Sequence, residues 1–241
     1  MKSSLLALLL LLASACAAAA QTPAPPADAY ALGDRKVFIP PPAGFVEATS
    51  RSEKIKKFFA ATESPELDLL AVHLPAADME RMARGEVFDL GFYTKVSVSK
   101  RLRAADSPRE YFAQLVAHLR ANSPKVLDFK RPEMQSQLKH MNKGLSEMLK
   151  ENAEIDLSQP VNLGEIQNTA RSFGLLLLLK VKFAAGGAQT EKMLVAGTSA
   201  VWVRDRIVWV YTYRAFNSDK DADDLRAFTR RWLAEIVSAN P

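Results

Sequence analysis

Three histidines, His73, His118 and His140, are the first side chains to weigh as chemistry, because imidazole titrates near neutral pH and is the commonest metal ligand. No pair has the i, i+3 or i, i+4 spacing that would set two rings on one helical face for a metal. His73 alternates with apolar residues in LDLLAVHL, His118 borders an apolar stripe and His140 falls off one, so each reads as a packed or surface residue. Asp219, Asp221 and Asp223 keep the one-three-five spacing of a calcium loop, yet Asp224 stands where that loop needs Gly and Arg230 where it needs a bidentate Glu. An acidic run of this kind is also what the positive end of a helix favours. Ser97-Val98-Ser99-Lys100 spells Ser-x-x-Lys, but within an alternating stretch rather than at a helix start, and no Lys-Thr-Gly companion exists. Gly197-Thr198-Ser199-Ala200-Val201 lacks the final Gly of a nucleophile elbow, and Gly186-Gly187 reads as a hairpin turn rather than a phosphate loop. No catalytic, cofactor-binding or metal-ligating residue is assigned, and no cofactor is expected.

The elements that would have to position any site are dominated by the stretch from Ser172 to Phe216. Leu175 to Leu179 is a contiguous apolar run that passes into alternation at Lys180 to Phe183, which fits a strand covered on both faces at its centre. A second strand, about Lys192 to Val203, and a third, Ile207 to Tyr213, are joined by a tight hairpin at Arg204-Asp205-Arg206. Ile207, Trp209, Tyr211 and Tyr213 line one face of the third strand; Val208, Val210 and Thr212 line the other. Neither face is polar, so both are expected to be covered and Trp209 to be buried. The segment NSDKDADD then opens a last helix, in which Leu225, Phe228, Trp232 and Ile236 share a face.

Residues 1–20 read as an export signal, with Lys2 as the charged start, Leu5 to Leu12 as the apolar core and Ala18-Ala19-Ala20 as a cleavage site, placing the cut between Ala20 and Gln21. A second reading competes: Ala13-Ser14-Ala15-Cys16 resembles a bacterial lipobox, in which Cys16 becomes the lipidated first residue and a membrane tether. Cys16 is the only cysteine, so the domain has neither a disulfide nor a thiol to offer. Residues 21–35 read as a Pro- and Ala-rich linker, and 36–241 as one domain with no internal repeat.

Within that domain, Val37 to Ile39 is a short strand broken by three prolines and resumed at Phe45. Lys54 to Thr62 (KIKKFFAAT) and Leu67 to Leu74 read as a hairpin turned at Pro65, Asp78 to Gly85 as a helical turn, and Phe88 to Lys100 as an alternating strand. Ser107-Pro108-Arg109-Glu110 has the letters of a capping box with Pro at the first helical position, so a helix is expected to follow to about Ala121. Pro132 opens another, to about Asn152, whose Met134, Leu138, Met141, Leu145 and Met148 form one apolar seam, with Gly144 as a weak point. Such a seam serves either as core or as an adaptable binding surface. Ile155 to Ile166 reads as an irregular strand or loop.

Strands, two helices, a strand meander and a closing helix make an α+β chain: an antiparallel sheet covered by helices in an α/β/α sandwich. In that order, VRDRIVWVYTYRAFNSDKDADDLRAFTRRWLAEI resembles the closing unit of PsbP-like exported domains. The resemblance implies the same sandwich and a non-enzymatic accessory or binding role, and carries over no functional residue. The net charge of +5 falls by one unit when Lys2 leaves with the signal; for an exported chain, the clusters Lys54, Lys56, Lys57 and Lys100, Arg101, Arg103 face lipid or cell-wall polymer before nucleic acid, which is not an expected partner. The expectation is therefore a periplasmic or secreted binding or accessory domain of a Gram-negative envelope with an unidentified protein or ligand partner. The alternatives are a hydrolase whose carboxylate and histidine meet only in the fold, and a structural lipoprotein anchored through Cys16.

Overall fold

A computed structural model describes residues 28–86 and 90–241. The signal at 1–20, with Cys16, Ala20 and Gln21, lies outside the described residues. In chain order the elements are β1 (Ala29–Leu32), β2 (Arg35–Phe38), β3 (Phe45–Glu47), α1 (Glu53–Ala61), β4 (Leu67–Pro75), α2 (Ala76–Ala83), β5 (Phe92–Ser99), a 3-10 turn at Lys100–Leu102, α3 (Arg109–Val126), α4 (Pro132–Leu149), β6 (Ala153–Leu157), β7 (Val161–Asn168), β8 (Ser172–Ala185), β9 (Ala188–Val203), β10 (Arg206–Ala215) and α5 (Asp219–Ser238). No described helix is long and apolar enough to cross a membrane.

The main sheet is antiparallel throughout, in the order β3-β4-β5-β10-β9-β8-β6, with β7 also paired to β8. The long β8, β9 and β10 form the expected meander. Two turns make it possible: Gly186 and Gly187 at φ 57° and 79°, and Arg204 and Asp205 at φ 49° and 57°, the left-handed pair that a two-residue hairpin requires. Beneath one face lie α5 and the β1–β2 hairpin, packed through Leu32, Val37 and Ile39 against Val96, Val98, Val208, Val210, Trp232 and Ile236. Helices α1 and α3 pack on the other face, through Ile55 and Phe59 and through Phe112 and Val116. The fold class is thus the α+β sandwich expected from the sequence.

The N-terminal hairpin is locked by a buried guanidinium. Arg206, with no solvent exposure, donates to the Leu32 carbonyl at 3.0 Å, to Asp34 at 2.7 Å and to Asp106 at 2.6 Å. Asn240 closes the other end, donating to the Phe38 carbonyl at 2.6 Å and accepting from the Phe38 N–H at 2.9 Å. Residues 29–35, expected to close the linker, are therefore part of the domain.

Several local expectations are corrected. Residues 53–61 are a helix and not the first strand of a hairpin: Ser52 caps it by accepting from the Ile55 N–H at 3.3 Å, and Ile55 and Phe59, one turn apart, are its buried residues. The capping box at Ser107 does not form. Helix α3 starts at Arg109 after Pro108, and Ser107 is spent on the meander, its N–H donating to the Asp205 carbonyl at 2.8 Å and its carbonyl accepting from the Trp202 indole at 2.6 Å. A capping box does form at α5, where Asp221 accepts from the backbone N–H groups of Asn217 and Ser218 at 3.0 and 3.1 Å. Helix α3 runs to Val126, and α4 stops at Leu149, where Lys150 takes a left-handed conformation at φ 58°. Residues 155–166 hold the ends of two strands, β6 and β7.

Candidate functional site

The two faces of the sheet are not equally covered. On β10, Val208, Val210 and Thr212 are fully buried, whereas Trp209, Tyr211 and Tyr213, which alternate with them, are half-buried. Their neighbours on the same face extend the pattern. Tyr211 lies between Thr198 of β9 and Lys95 of β5, and Tyr213 lies between Ala196 and Tyr93. Tyr93, Lys95 and Thr198 are half-buried as well. These residues belong to interior strands, where strand edges cannot explain solvent access. Trp209 packs against the cluster that α3 forms through Phe112 and Val116, and Tyr93 against the one that α1 forms through Ile55 and Phe59.

Between these clusters the sheet carries an aromatic and charged constellation. The Tyr93 and Tyr213 rings stack with centroids 4.6 Å apart and planes 20° from parallel. Lys95 extends its ammonium over the Tyr211 ring at 4.8 Å and donates to Glu63 at 3.1 Å. Glu63, just after α1 and 7% exposed, also accepts from the Ser97 hydroxyl at 2.7 Å. The hydroxyls of Tyr93, Tyr211 and Tyr213 have no hydrogen-bond partner among the described residues, and they are not sealed from solvent. Burial pushes all three phenols well above their ordinary pKa; the Glu63 charge adds to this at Tyr211, and neighbouring Tyr93, Tyr211 and Glu63 add to it at Tyr213. They therefore stay protonated as hydrogen-bond donors.

Helix α4 lies between α1 and β6. Its Gly144 backs onto the end of α1 so closely that an added Cβ would come within 2.2 Å of the Ala61 carbonyl oxygen. On the opposite side of the helix, Asn142 pairs with both backbone groups of Ile155 at 2.8 and 3.1 Å, and Ser146 with both of Ala153 at 3.0 and 2.9 Å. Those side chains occupy the outer edge of β6 as a neighbouring strand would, which blunts an otherwise open edge. The seam of Met134, Leu138, Met141, Leu145 and Met148 lies between these two flanks of the helix. Within the seam Leu145 is fully buried and the rest are half-buried.

The residues weighed as chemistry are not brought together. His73, fully buried on the opposite face, shares a hydrogen bond with Thr94 at 3.0 Å and meets Trp232 edge-on at 5.4 Å; burial drives its pKa down to about 4 against a weaker opposing pull from Glu47. His118 is paired with Asn122 on α3 at 3.3 Å, and His140 lies exposed on α4. Asp221 caps α5 and pairs with Arg214 at 3.1 Å. Ser97 is fully buried against Glu63, and Ser199 is buried with its hydroxyl unpartnered beside Gly174. Among the described residues, no three His, Cys, Asp or Glu side chains gather as a metal site would require. Two shallow depressions elsewhere, of about 670 Å³ at the end of α4 and about 540 Å³ between α3 and β7, are lined by side chains already engaged with the chain, such as Asn142 and the Arg120–Glu165 pair at 2.7 Å. Sequence reading had placed Tyr211 and Tyr213 on one face. It missed Glu63 and Lys95, whose meeting depends on 53–61 being a helix.

No protein-family model matches the chain, and no curated protein matches it. Among solved structures, the Ran-binding protein Mog1p of Saccharomyces cerevisiae is matched at 11% identity over 85% of this chain and 87% of that one, with a TM-score of 0.27. A likeness at that level carries no argument about function. What the coordinates define is an α+β sandwich with helices on both faces of its sheet and three half-buried tyrosines on one of them.

Proposed function

We propose that the chain is an exported, non-enzymatic binding or accessory domain of a Gram-negative envelope, and that it binds its partner on the face of the sheet that carries the half-buried tyrosines. The observation that carries this reading is the set of three interior-strand tyrosines that are half-buried with hydroxyls bonded to nothing in the described chain. A closed core would satisfy such groups or replace them with apolar ones. Largely apolar surface with a few convergent polar groups is the usual form of a ligand site. Export and the choice between a free N-terminus at Gln21 and a lipid tether at Cys16 are proposed from residues 1–20; kinship with PsbP-like domains is proposed from element order.

A neutral, polarity-sensitive dye such as Nile red tests this face. The purified chain is expected to bind it at one saturable site, and Thr198→Trp, which grows a ring beside Tyr211, to weaken it at least tenfold with the far-UV spectrum unchanged. Thr198→Leu, a smaller filler, is expected to act in the same direction. Undiminished binding in both variants would place the dye elsewhere and defeat the reading. Intact mass of the chain recovered from envelope fractions tests the address: a start at Gln21 or an acylated Cys16 supports export, and an uncut Met1 contradicts it.

A further inference from the structure

The fold treats the two basic clusters of the sequence differently. Lys100 donates to the Pro65 carbonyl at 2.7 Å, Arg101 lies 3.6 Å from Glu66, and Arg103 pairs with Asp68 at 3.0 Å while donating to the Ala31 carbonyl at 3.2 Å. That cluster is spent within the chain. Lys54, Lys56 and Lys57 instead stand exposed on α1 with Arg51 just ahead of it, and among the described residues none of these four side chains has an ion pair or a hydrogen bond. Ile55 and Phe59 turn inward; Lys57 stands opposite them, with Lys54 beside it on the flank where Ala61 meets Gly144 of α4. On α4 the side opposite the methionine and leucine seam carries Lys139, Lys143 and Lys150, all exposed.

The charge of this side as a whole follows the same pattern. Residues 51–61, 109–126 and 132–150, which hold α1, α3 and α4, carry ten Lys or Arg against four Asp or Glu, whereas α5 on the opposite face carries four against five. Of the ten, Arg120 pairs with Glu165 at 2.7 Å and Lys143 lies 3.8 Å from Glu147; the other eight have no partner among the described residues. On α5 the cations are mostly engaged, Lys220 with Asp224 at 2.8 Å and Arg226 and Arg230 with carbonyls of β7 at 2.7 and 2.8 Å.

We propose that this helical layer, led by Lys54 and Lys57 of α1, is a peripheral docking surface for a bilayer with anionic phosphate headgroups. The kind of charge selects the occupant. Six of the eight unpaired cations are lysines, point charges on flexible stems that attract a negative surface without fixing one planar anion as an arginine fork does. They are spread over three helices, so a plane of many phosphates meets more of them than a single phosphate or carboxylate could, and each cation brought near such a plane adds to the attraction. For a domain exported as proposed above, lipid is also the polyanion met before nucleic acid. No described helix can cross the bilayer, so the contact is at its surface.

Sedimentation of residues 21–241, which hold every described element, with phosphatidylcholine vesicles and with vesicles containing about a third phosphatidylglycerol tests the proposal. Binding is expected to the anionic vesicles alone, and to weaken about tenfold or more as salt rises from roughly 0.05 to 0.5 M. Lys57→Glu is expected to weaken it several-fold and Lys54→Glu/Lys57→Glu about tenfold or more, with the far-UV spectrum unchanged. Arg231→Glu makes the same change of net charge as Lys57→Glu at an exposed position of α5, and is expected to stay within about twofold of the parent chain. Equal binding to both vesicles would remove charge from the interaction. Equal losses from Lys57→Glu and Arg231→Glu would assign the attraction to net charge and not to this layer. Release by excess glycerol phosphate would mean a discrete phosphate site, and a DNA duplex bound as tightly as the anionic vesicles would mean a general polyanion surface; each of these results overturns the docking assignment. None of them bears on Nile red binding, so this proposal and the reading of the tyrosine face fail separately.

Discussion

Val210 and Tyr211 are adjacent on β10, yet they belong to two different kinds of surface. Val210 faces α5 and the N-terminal hairpin, where Val96, Val98, Val201 and Val208 surround the rings and branches of Trp232, Leu233 and Ile236 with essentially no solvent. On that side the Trp232 indole donates to the Pro40 carbonyl at 2.8 Å and Thr212 shares a hydrogen bond with Thr229 at 2.8 Å, while His73 Nε2 and the Ser199 hydroxyl are buried without a partner. Tyr211 is half-buried on the side that carries α1 and α3, with the Lys95 ammonium 4.8 Å over its ring and no hydrogen bond to its hydroxyl from the described chain. One sheet thus presents a face built for stability and a face on which stability has been left incomplete, the arrangement expected where function is laid over a rigid support.

If the faces differ in this way, equivalent truncations should cost unequal amounts. Trp232→Ala is expected to lose about 3 to 5 kcal/mol, the cost of emptying a closed core, while Trp209→Ala, half-buried on the open face, is expected to lose only about 1 to 2 kcal/mol. Urea unfolding of the two variants measures both, and equal losses would erase the distinction. The closed face should also be the pH-sensitive one. His73 has its folded pKa near 4 against an ordinary value of 6.5, so the unfolded chain takes the proton first. Stability from this residue is then complete above about pH 6.5 and falls as pH drops toward 4, by about 3 kcal/mol in all at 1.36 kcal/mol per unit. Unfolding curves across that window should show the slope in the parent chain and a flatter one in His73→Gln.

Smaller effects probe the open face. Gly144→Ala gains about 1 kcal/mol of helix propensity but drives a methyl into the Ala61 carbonyl, a main-chain obstacle that cannot rotate away, at an overpacking cost of about 1 to 3 kcal/mol. A net loss of about 1 kcal/mol is expected, and a more stable variant would mean that α4 does not rest on α1. Smallest of all, Tyr211→Phe and Tyr213→Phe should each change stability by less than about 0.5 kcal/mol, since their hydroxyls hold nothing in the chain. A loss above about 1 kcal/mol would reveal a partner.

The meander, its turns and the α5 stripe were legible because hydrophobic periodicity and turn chemistry are local signals, and all three elements satisfy them with long segments. KIKKFFAAT misled because two adjacent phenylalanines and few small polar residues look strand-like; the decisive marks were the Ser52 cap and the one-turn interval from Ile55 to Phe59. Ser107 had a capping box in its letters but its backbone was claimed by Trp202 and Asp205, residues far along the chain, a tertiary demand that outweighs a local one. Both faces of the sheet carry the expected layers, but the half-burial of Trp209, Tyr211 and Tyr213 beneath one of them was not legible. Apolar and aromatic composition shows that a face wants cover, but not how completely helices fill it.

Hydroxyl-radical footprinting of the folded chain, read residue by residue, compares the two faces in one experiment. Trp209, Tyr211 and Tyr213 should oxidise measurably while Trp232, at 1% exposure, stays protected until the chain unfolds. Protection of Tyr211 and Tyr213 equal to that of Trp232 would contradict an open tyrosine face and remove the basis for a binding site there.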